Sequence, residues 1–429
     1  MTEDEIKQSI DSISLKLNSD EISEGVNLAR ALAKSEPSSF AALNFLANVE
    51  EQLGDREAAK DLHKSCIRLN EATPIAYLSL GYLLSEDCHG QLKASPEAIV
   101  LFSKLFDMAP QWFYDHQSFN FNPQVMQKLV FAGRTLLVFF DELHRNALTL
   151  DVENQDTSYI EAHTKPSQYA EERVRIAEAI WTRTHLRPFS FALHDQRPHL
   201  FYVPNLVAKG VWELEQFPWA EAFCKQYPDI LAEFRAVTKN IADHARPYLD
   251  EHFENNAELT QLAGKQRWTA LDLYREGLLS NFAKQHFPKT LAALKLIPLC
   301  GRGDNPDEVF FSILQAGQAI PEHYGLSNHS LTVHLGIDIP DNCTLSVRRS
   351  DYYWKNGELI VFDDSFIHSA KNDSDKLRVV LLFSIWHPHL SGAEIKAIKS
   401  SFTQRHNWFE SRDEKLKAIM SEAPERVID

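Results

Sequence analysis

The sequence predicts an α+β protein in which a helical first half precedes a jelly-roll, or cupin-like double-stranded β-helix, domain. From the start of the chain to about residue 150, apolar residues recur three and four positions apart, which is the period of amphipathic helices. From about residue 308 to 386 the chain consists of short alternating strands separated by turn residues. Several short strands with inward polar residues are typical of a jelly roll.

Length, charge and composition describe a globular chain with room for more than one core. Its 429 residues exceed what one hydrophobic core usually holds, and 44% hydrophobic with 24% charged residues is an ordinary balance. The formal net charge of −16 argues against a nucleic-acid partner, because binding phosphates requires a basic surface. A small anion held in a local basic pocket remains compatible with this charge.

Three features of the sequence favour a cytoplasmic location and no membrane partner. No apolar run approaches the roughly 20 residues that span a bilayer. The opening "MTEDEIKQSI" is acidic, whereas a signal peptide has a basic start and an apolar centre. The five cysteines are scattered without CxxC spacing, which predicts reduced thiols and no zinc site.

Two helical segments resemble each other at a fixed spacing. "PSSFAALNFL" and "PIAYLSLGYLL" align with an offset of 37 residues (77 − 40), pairing Phe40 with Tyr77, Leu43 with Leu80 and Leu46 with Leu83. This offset is close to the 34-residue tetratricopeptide period, so the segments resemble irregular tetratricopeptide repeats. A helical bundle without a ligand would give a similar pattern. If the repeats are present, their concave surface favours a protein or peptide partner.

The middle of the chain predicts further helices and a change of pattern. Helical periodicity continues between about 122 and 185, and "HLFYVPNL" from residue 199 predicts a short strand followed by a turn. We therefore expect repeats at 1–150, a helical linker at 151–198, the double-stranded β-helix at 199–392 and a helical tail at 393–429.

The β region is clearest in "LTVHLGIDIP". Leu331, Val333, Leu335, Ile337 and Ile339 alternate with Thr332, His334, Gly336 and Asp338. "CTLSVRR", "GELIVFDD" and "KLRVVLLFSIW" follow as further strands, separated by turns rich in proline, glycine, asparagine and aspartate. The alternation places the apolar set on one face of the sheet and His334 on the other.

Three histidines in this region are candidate metal ligands: His323 in "PEHYG", His334 in "VHLGI" and His368 in "FIHSA". Mononuclear iron(II) oxygenases bind the metal through two histidines and one carboxylate. The carboxylate normally follows the first histidine by two residues, but here Gly325 follows His323 and Gly336 follows His334. By spacing alone, a metal site and hydrogen-bonded core histidines are about equally supported.

An arginine at the start of an apolar strand makes a binding site more credible. Arg378 belongs to the run from Leu377 to Trp386, ten residues after His368 (378 − 368). A buried guanidinium is unfavourable unless an anion meets it, and its planar shape suits a carboxylate. A dicarboxylate such as 2-oxoglutarate could bind a metal at one end and Arg378 at the other. The alternative is a salt bridge to a nearby acid: Asp363, Asp364, Asp373 or Asp375.

Together these motifs resemble the aspartyl/asparaginyl β-hydroxylase family of iron(II)/2-oxoglutarate oxygenases. The resemblance covers about 199–392 and is densest at 308–390, with "PEHYG", "HLGI" and "FDDSFIH" followed by the arginine. Better-known members of the family also carry tetratricopeptide-like helices before the oxygenase. The resemblance implies a double-stranded β-helix and a hydroxylase activity.

The resemblance implies a two-histidine iron site, because members of this family have a glycine where the acid would be. His323 and His368 are then the ligands, Gly325 replaces the acid, and a water occupies the remaining protein position. Asp364 is implied to hold that water.

The remaining candidates are implied to bind the cosubstrate. His334 would contact the 1-carboxylate or keto end of 2-oxoglutarate, while Ser312 and Arg378 would bind its 5-carboxylate. Iron(II), 2-oxoglutarate and dioxygen would then hydroxylate an unactivated carbon and release succinate.

One departure from the family leaves the substrate open. Members commonly carry an arginine on the strand leading to the HLGL-type histidine, where this chain has Ser330 and Thr332. Two interpretations of Arg348 and Arg349 stay open: they supply that charge from a neighbouring strand, or they only solvate their own strand. Three hypotheses remain: a hydroxylase of an Asp, Asn or other residue in a protein or peptide, a hydroxylase of a small molecule or lipid, and an inactive helical-repeat scaffold.

Overall fold

A computed structural model describes residues 1–88, 91–114, 116–149, 175–176, 178–180, 189–238, 241–249 and 259–421. The described residues form two compact units, one within 1–145 and 405–429 and the other within 146–183 and 188–404. Most of the linker predicted at 151–198 lies outside the described residues, and so does most of the helix predicted at 165–185. The predicted domain boundaries therefore stay predictions.

The first unit is built from helices that pair in chain order. The helices are α1 Glu3–Leu17, α2 Ile22–Ser35, α3 Phe40–Leu53, α4 Arg56–Leu69, α5 Pro74–Leu83, α6 Pro96–Met108, α7 Gln111–Tyr114 and α8 Pro123–Thr149. A small hairpin of β1 Glu86–Cys88 and β2 Gln91–Lys93 lies between α5 and α6. Helix α14, Gly392–Ser421, contributes its residues from 405 onward.

Local sequence signals set the ends of these helices. Ser39 caps α3 by accepting a hydrogen bond from the Ala42 amide, and Gly54 ends the helix in the left-handed conformation with φ of 87°. Asp55 then caps α4 at once, so the two helices form a tight hairpin. The aligned residues of the predicted repeats are all inside the unit, and the β1–β2 hairpin lengthens the second turn. Their identity as tetratricopeptide repeats stays a prediction.

The second unit contains the strands. They are β3 Val211–Trp212, β4 Arg246–Pro247, β5 Trp268–Arg275, β6 Leu278–Leu279, β7 Glu308–Leu314, β8 Gln318–His323, β9 Ser330–Asp338, β10 Cys343–Val347, β11 Ser350–Tyr353, β12 Leu359–Phe362, β13 His368–Asn372 and β14 Arg378–Trp386. Its short helices are α9 Ala220–Cys224, α10 Tyr227–Val237, α11 Ile241–His244, α12 Asn281–His286 and α13 Pro288–Leu294.

The strand order confirms the predicted double-stranded β-helix. One sheet has the order β11-β10-β13-β8, and the other contains β12-β9-β14-β7 extended by β5 and β4 on one side and by β3 on the other. Most strands from β7 to β14 therefore cross to the opposite sheet from the strand before them. This winding gives two facing antiparallel sheets with an interior between them.

Side-chain alternation divides each strand of the large sheet between two cores. On β9, Leu331 and Val333 pack with helices α9 to α13 on the outer face, as the sequence predicts. On β14, Val379 and Leu381 face the same outer core, whereas Val380 joins an inner cluster formed by both sheets. Arg378 and His334 fall on the inner face by the same rule. The candidate site therefore lies inside the β-helix.

Across the described residues, no helix is long and apolar enough to cross a membrane.

The close packing of α5 against α6 is testable at Gly81. A Cβ at this position would lie 2.5 Å from Cε1 of the fully buried Phe102. Alanine normally stabilises a helix over glycine, but here we expect Gly81→Ala to destabilise the protein by about 1–3 kcal/mol through overpacking. The matched control is Gly133→Ala in α8, where the new Cβ would lie 3.9 Å from the Phe113 ring and stability should rise slightly. Chemical denaturation measures both, and equal effects would contradict this packing.

Candidate active site

The structure brings His323 and His368 together across the small sheet. His323 ends β8, His368 begins β13, and the two residues are direct partners in the antiparallel register. Their ring centroids are 4.1 Å apart. The pairing explains why residues 45 positions apart (368 − 323) can act as one site.

Each of the two rings is oriented by a backbone carbonyl. Nδ1 of His323 lies 2.8 Å from the Pro321 carbonyl oxygen, and Nδ1 of His368 lies 2.9 Å from the Phe366 carbonyl oxygen. In the neutral tautomer, Nδ1–H donates to that carbonyl and Nε2 keeps its lone pair. Both histidines therefore present Nε2 as a metal-binding atom.

Burial keeps both imidazoles neutral. It lowers the pKa of His323 to about 3, with the neighbouring His368 adding to the effect, and lowers the pKa of His368 to about 4. A neutral ring is the form that binds a metal. Among the described residues no group of three or more His, Cys, Asp or Glu side chains forms a metal-binding cluster.

The Asp364 carboxylate occupies the space that a side chain at position 325 would need. A Cβ on Gly325 would overlap the Asp364 carboxylate, with Oδ2 at 2.5 Å. The Gly325 amide also donates to the Asp364 backbone carbonyl at 2.7 Å. Gly325 does not have a positive φ, so it is needed for space rather than for backbone conformation. The carboxylate thus lies beside the position where a three-ligand site would have its acid.

The Asp364 carboxylate is in a desolvated setting. Burial raises its pKa to about 6, and a hydrogen bond involving the Thr332 side chain opposes that shift. Thr332 is buried on the inner face of β9, at one of the two positions where family members carry arginine. This interaction was not foreseen from the sequence, because it joins β9 to the loop after β12.

His334 has a fixed tautomer and an unused donor. Its Nδ1 accepts a hydrogen bond from the Trp354 indole Nε1–H at 3.2 Å, so the ring proton of the neutral form is on Nε2. That Nε2 is buried and has no hydrogen-bond partner among the described residues. Burial lowers the pKa of His334 well below its usual value, and the nearby Arg378 adds to this. A buried N–H without a partner indicates a ligand acceptor.

Arg378 is the most deeply buried charge in the site, with 1% of its surface exposed. Its Nη1 lies 3.5 Å from both the carbonyl oxygen and Oγ of Ser312, and its Nε has no hydrogen-bond partner in the described part of the chain. The guanidinium also lies over the Trp354 ring, 4.9 Å from its centroid. Burial lowers the pKa of Arg378 to about 10, so it remains charged at neutral pH.

The alternative salt bridge for Arg378 does not form with any described carboxylate. Asp363 accepts hydrogen bonds from Gln196 and Ser365, and Asp373 pairs with Lys371. Ser312 is buried on β7 and accepts a hydrogen bond from Trp268 Nε1 at 3.0 Å. The arginine therefore has hydroxyl and aromatic neighbours but no counter-ion.

A series of ring contacts connects the histidine pair to the arginine. His368 lies 5.7 Å from the Phe362 ring, and Phe362 lies 5.0 Å from the His334 ring. His334 then contacts Trp354, which in turn contacts Arg378. All six residues predicted for the site, His323, His334, His368, Asp364, Ser312 and Arg378, thus lie in one part of the β-helix. Trp354 is the member that the sequence analysis missed, since a tryptophan after a strand has no distinctive spacing.

The two arginines of the β10–β11 turn have different environments. Both adopt positive φ, 52° at Arg348 and 62° at Arg349, as a two-residue hairpin turn requires. Arg348 donates to Asp195 at 2.7 Å and covers the Phe366 ring, so its charge is already paired. The Arg349 side chain is 79% exposed and lies 4.0 Å from Glu322. Of these two arginines, Arg349 is the more exposed.

Comparisons with known proteins identify one matching family and several relatives. Residues 224–388 match the sequence model of the aspartyl/asparaginyl beta-hydroxylase family, so the resemblance seen in the sequence is confirmed over that segment. The chain is 27% identical over 211 residues to aspartate beta-hydroxylase domain-containing protein 2 of Rattus norvegicus, covering 48% of this chain and 59% of that protein. It is 26% identical over 215 residues to human aspartyl/asparaginyl beta-hydroxylase, covering 48% of this chain and 28% of that protein.

A bacterial relative has a different named substrate. The ornithine lipid ester-linked acyl 2-hydroxylase of Rhizobium tropici is 31% identical over 186 residues, covering 43% of this chain and 62% of that protein. The chain thus spans less than two thirds of the length of each of these relatives.

Among solved structures, the nickel complex of the non-heme monooxygenase ThoJ aligns with 13% identity and a TM-score of 0.23, over 44% of this chain and 92% of that one. A 2OG-Fe(II) oxygenase family protein of Burkholderia pseudomallei aligns with 12% identity and a TM-score of 0.22, over 39% and 93%.

The fit of Gly325 to Asp364 gives a double-mutant prediction. Gly325→Ala should destabilise the protein by about 1–3 kcal/mol, because the new methyl group must displace the partly buried Asp364 carboxylate. In an Asp364→Ala background the same change should be nearly neutral, since the overlapping atoms are gone. Denaturant unfolding of the four proteins measures the coupling. Additive effects would show that the two residues do not share this space.

Proposed function

We propose that this chain is an iron(II)- and 2-oxoglutarate-dependent dioxygenase that hydroxylates an unactivated carbon. The observation that carries the proposal is Arg378, a buried guanidinium without a described counter-ion. It is connected by continuous contacts to two histidines that present Nε2. An unpaired buried cation is unfavourable, so its retention inside the β-helix is best explained by an anionic ligand.

His323 and His368 would hold the metal through Nε2. Their Nδ1 atoms are already engaged by backbone carbonyls, which is the usual arrangement for a metal-binding imidazole. When bound, iron(II) with 2-oxoglutarate and dioxygen supplies the oxidising chemistry, in which the oxoacid becomes succinate and carbon dioxide. Asp364, beside Gly325, would accept a hydrogen bond from a metal-bound water.

His334, Ser312 and Arg378 would bind the dicarboxylate at its two ends. The free Nε2–H of His334 is suited to a carboxylate or keto oxygen near the metal, because Trp354 fixes the proton on that nitrogen. The Arg378 guanidinium and the Ser312 hydroxyl would bind the distal carboxylate. Trp354 contacts both residues, so it would hold the two ends of the ligand site at a fixed separation.

The apolar surroundings of the site would exclude water from the reaction. Phe362, Phe366 and Val380 belong to the inner cluster shared by the two sheets. A dry interior strengthens the charge interactions with the ligand and keeps both histidines neutral.

The four cysteines described by the structure are free thiols, which supports a reducing compartment such as the cytoplasm.

For the substrate we propose an Asp, Asn or other residue of a protein or peptide, recruited through the helical repeats. The human relative's name refers to aspartyl and asparaginyl substrates, and paired helices such as those of the first unit commonly bind peptides. A small-molecule or lipid substrate is the second candidate. It is supported by the name of the acyl hydroxylase relative from Rhizobium tropici, and by Ser330 and Thr332, which stand where the resemblance implies arginine.

Anaerobic spectroscopy tests the proposal without knowledge of the substrate. Purified protein with iron(II) and 2-oxoglutarate should develop a metal-to-ligand charge-transfer band in the visible range. Its absence from correctly folded protein would favour an inactive scaffold. Trapping a substrate from a cell extract and measuring a mass gain of one oxygen would then separate peptide from lipid.

The histidines should separate into two classes. We expect His323→Ala and His368→Ala each to abolish metal binding, because a site with two protein ligands does not survive the loss of one. His334→Ala should keep the metal but raise the 2-oxoglutarate concentration needed for the charge-transfer band. Metal titration and cosubstrate titration measure the two effects. Loss of the metal from the His334 variant alone would show that the ligands are misassigned.

Replacing the buried arginine should separate stability from ligand binding. Arg378→Met removes an unpaired buried charge, so the ligand-free protein should be equally stable or up to about 4 kcal/mol more stable. The variant should lose the thermal stabilisation that 2-oxoglutarate gives the metal-loaded wild type. The control is Arg412→Met, a buried arginine that donates to Asp107 and Ser103, where we expect a loss of about 1.5–3 kcal/mol. An equally large loss in both variants would indicate that Arg378 is structural.

A further inference from the structure

One segment outside the matched family region contacts the loops of both candidate metal ligands. Residues 195–203, "DQRPHLFYV", are here named the strap. The strap lies before residue 224, where the family match begins. The sequence of the strap contains no recognised motif, so it predicts no role for this segment.

The first half of the strap pairs with the loop that precedes His368. The Arg197 amide donates to the Ser365 carbonyl at 3.0 Å, and the Ile367 amide donates to the Asp195 carbonyl at 3.0 Å. Gln196 and Phe366 form the antiparallel bridge between these bonds. The Phe366 carbonyl is the group that orients the His368 ring, so the strap fixes the residue that sets this ligand's direction.

The second half of the strap pairs with the loop that follows His323. The His199 amide donates to the Gly325 carbonyl at 3.3 Å, and the Leu200 amide donates to the Leu326 carbonyl at 2.8 Å. The buried Asn328 side chain then bonds both the amide and the carbonyl of Val203, at 2.7 and 2.9 Å. The strap therefore also fixes Gly325, whose missing side chain leaves room for Asp364.

The Gln196 side chain adds a buried polar link. It is 2% exposed, and its Nε2 donates to the Asp363 carboxylate and to the Ser365 hydroxyl, both at 3.0 Å. Asp363 in turn accepts a hydrogen bond from the Ser365 amide. This network closes the turn between β12 and His368, which contains Asp364.

We infer that the strap positions His323 and His368 for metal binding, with Gln196 as its positioning residue. Metal affinity depends on how closely the free protein holds its ligands in the bound geometry, and residues that orient ligands typically account for 10- to 100-fold of it. One continuous segment bonded to both ligand loops limits the separation of the two Nε2 atoms. The inference rests on the proposed metal site.

Cobalt(II) binding to the full-length chain tests the role of Gln196. Gln196→Met keeps the length of the side chain and removes its donor, so we expect a 10- to 100-fold weaker affinity and an altered ligand-field absorption spectrum. The control is Thr290→Val in α13 of the same unit, which removes the hydrogen bond that the buried Thr290 hydroxyl donates to Glu233 at 2.7 Å. It should lose comparable thermal stability and keep its cobalt affinity within about twofold.

Two outcomes would overturn the inference, and they differ. Wild-type affinity and spectrum in the Gln196 variant would overturn the positioning role and leave the metal site standing. Failure of the wild-type protein to bind cobalt(II) would overturn the proposed function and the inference with it. If the Gln196→Met variant does not fold, hydrogen exchange on the wild-type protein is the alternative test. Cobalt(II) should increase amide protection in 195–203 as well as in both ligand loops, but not in α13, and an unchanged strap would refute the inference.

Discussion

The guanidinium of Arg378 inside an apolar strand is the constraint on which the site depends. Alternation along β14 places Val379 and Leu381 in the outer core and leaves Arg378 facing the interior between the sheets. No described carboxylate neutralises it, and its neighbours are the Ser312 hydroxyl and the Trp354 ring. A buried cation without a counter-ion among the described residues is unfavourable, and under the proposed function an anionic ligand offsets that cost.

At the histidine end of the site, the ring nitrogens that stay unbonded decide what can bind. Backbone carbonyls occupy Nδ1 of both His323 and His368, and burial keeps the rings neutral, so two Nε2 atoms remain available. A glycine at 325 makes room for the Asp364 carboxylate from another strand end. In a site with three protein ligands, residue 325 would carry the acid. Here the Asp364 carboxylate, on a neighbouring loop, occupies the space of that side chain.

Precision in such a site comes from elements remote in the chain. His323 and His368 are adjacent through strand pairing, while the strap at 195–203 bonds to the loops that flank them. The family sequence model matches 224–388, a span that contains the candidate ligands and begins after the strap. Sequence similarity identifies the groups that would do the chemistry, and the fold around them sets how closely they are held.

The sequence by itself determined the fold class and the strands of the β-helix, because periodicity is a local property. The six candidate site residues came from its resemblance to a known family, and their roles stay predictions. The sequence did not determine whether a carboxylate of the chain pairs with Arg378. Nor did it determine the pairing of Arg348 with Asp195, or the contact of Trp354 with both His334 and Arg378. The fit between Gly325 and Asp364 and the strap across both ligand loops were equally invisible. Each depends on which side chains meet across strands far apart in the chain, and only tertiary packing decides that.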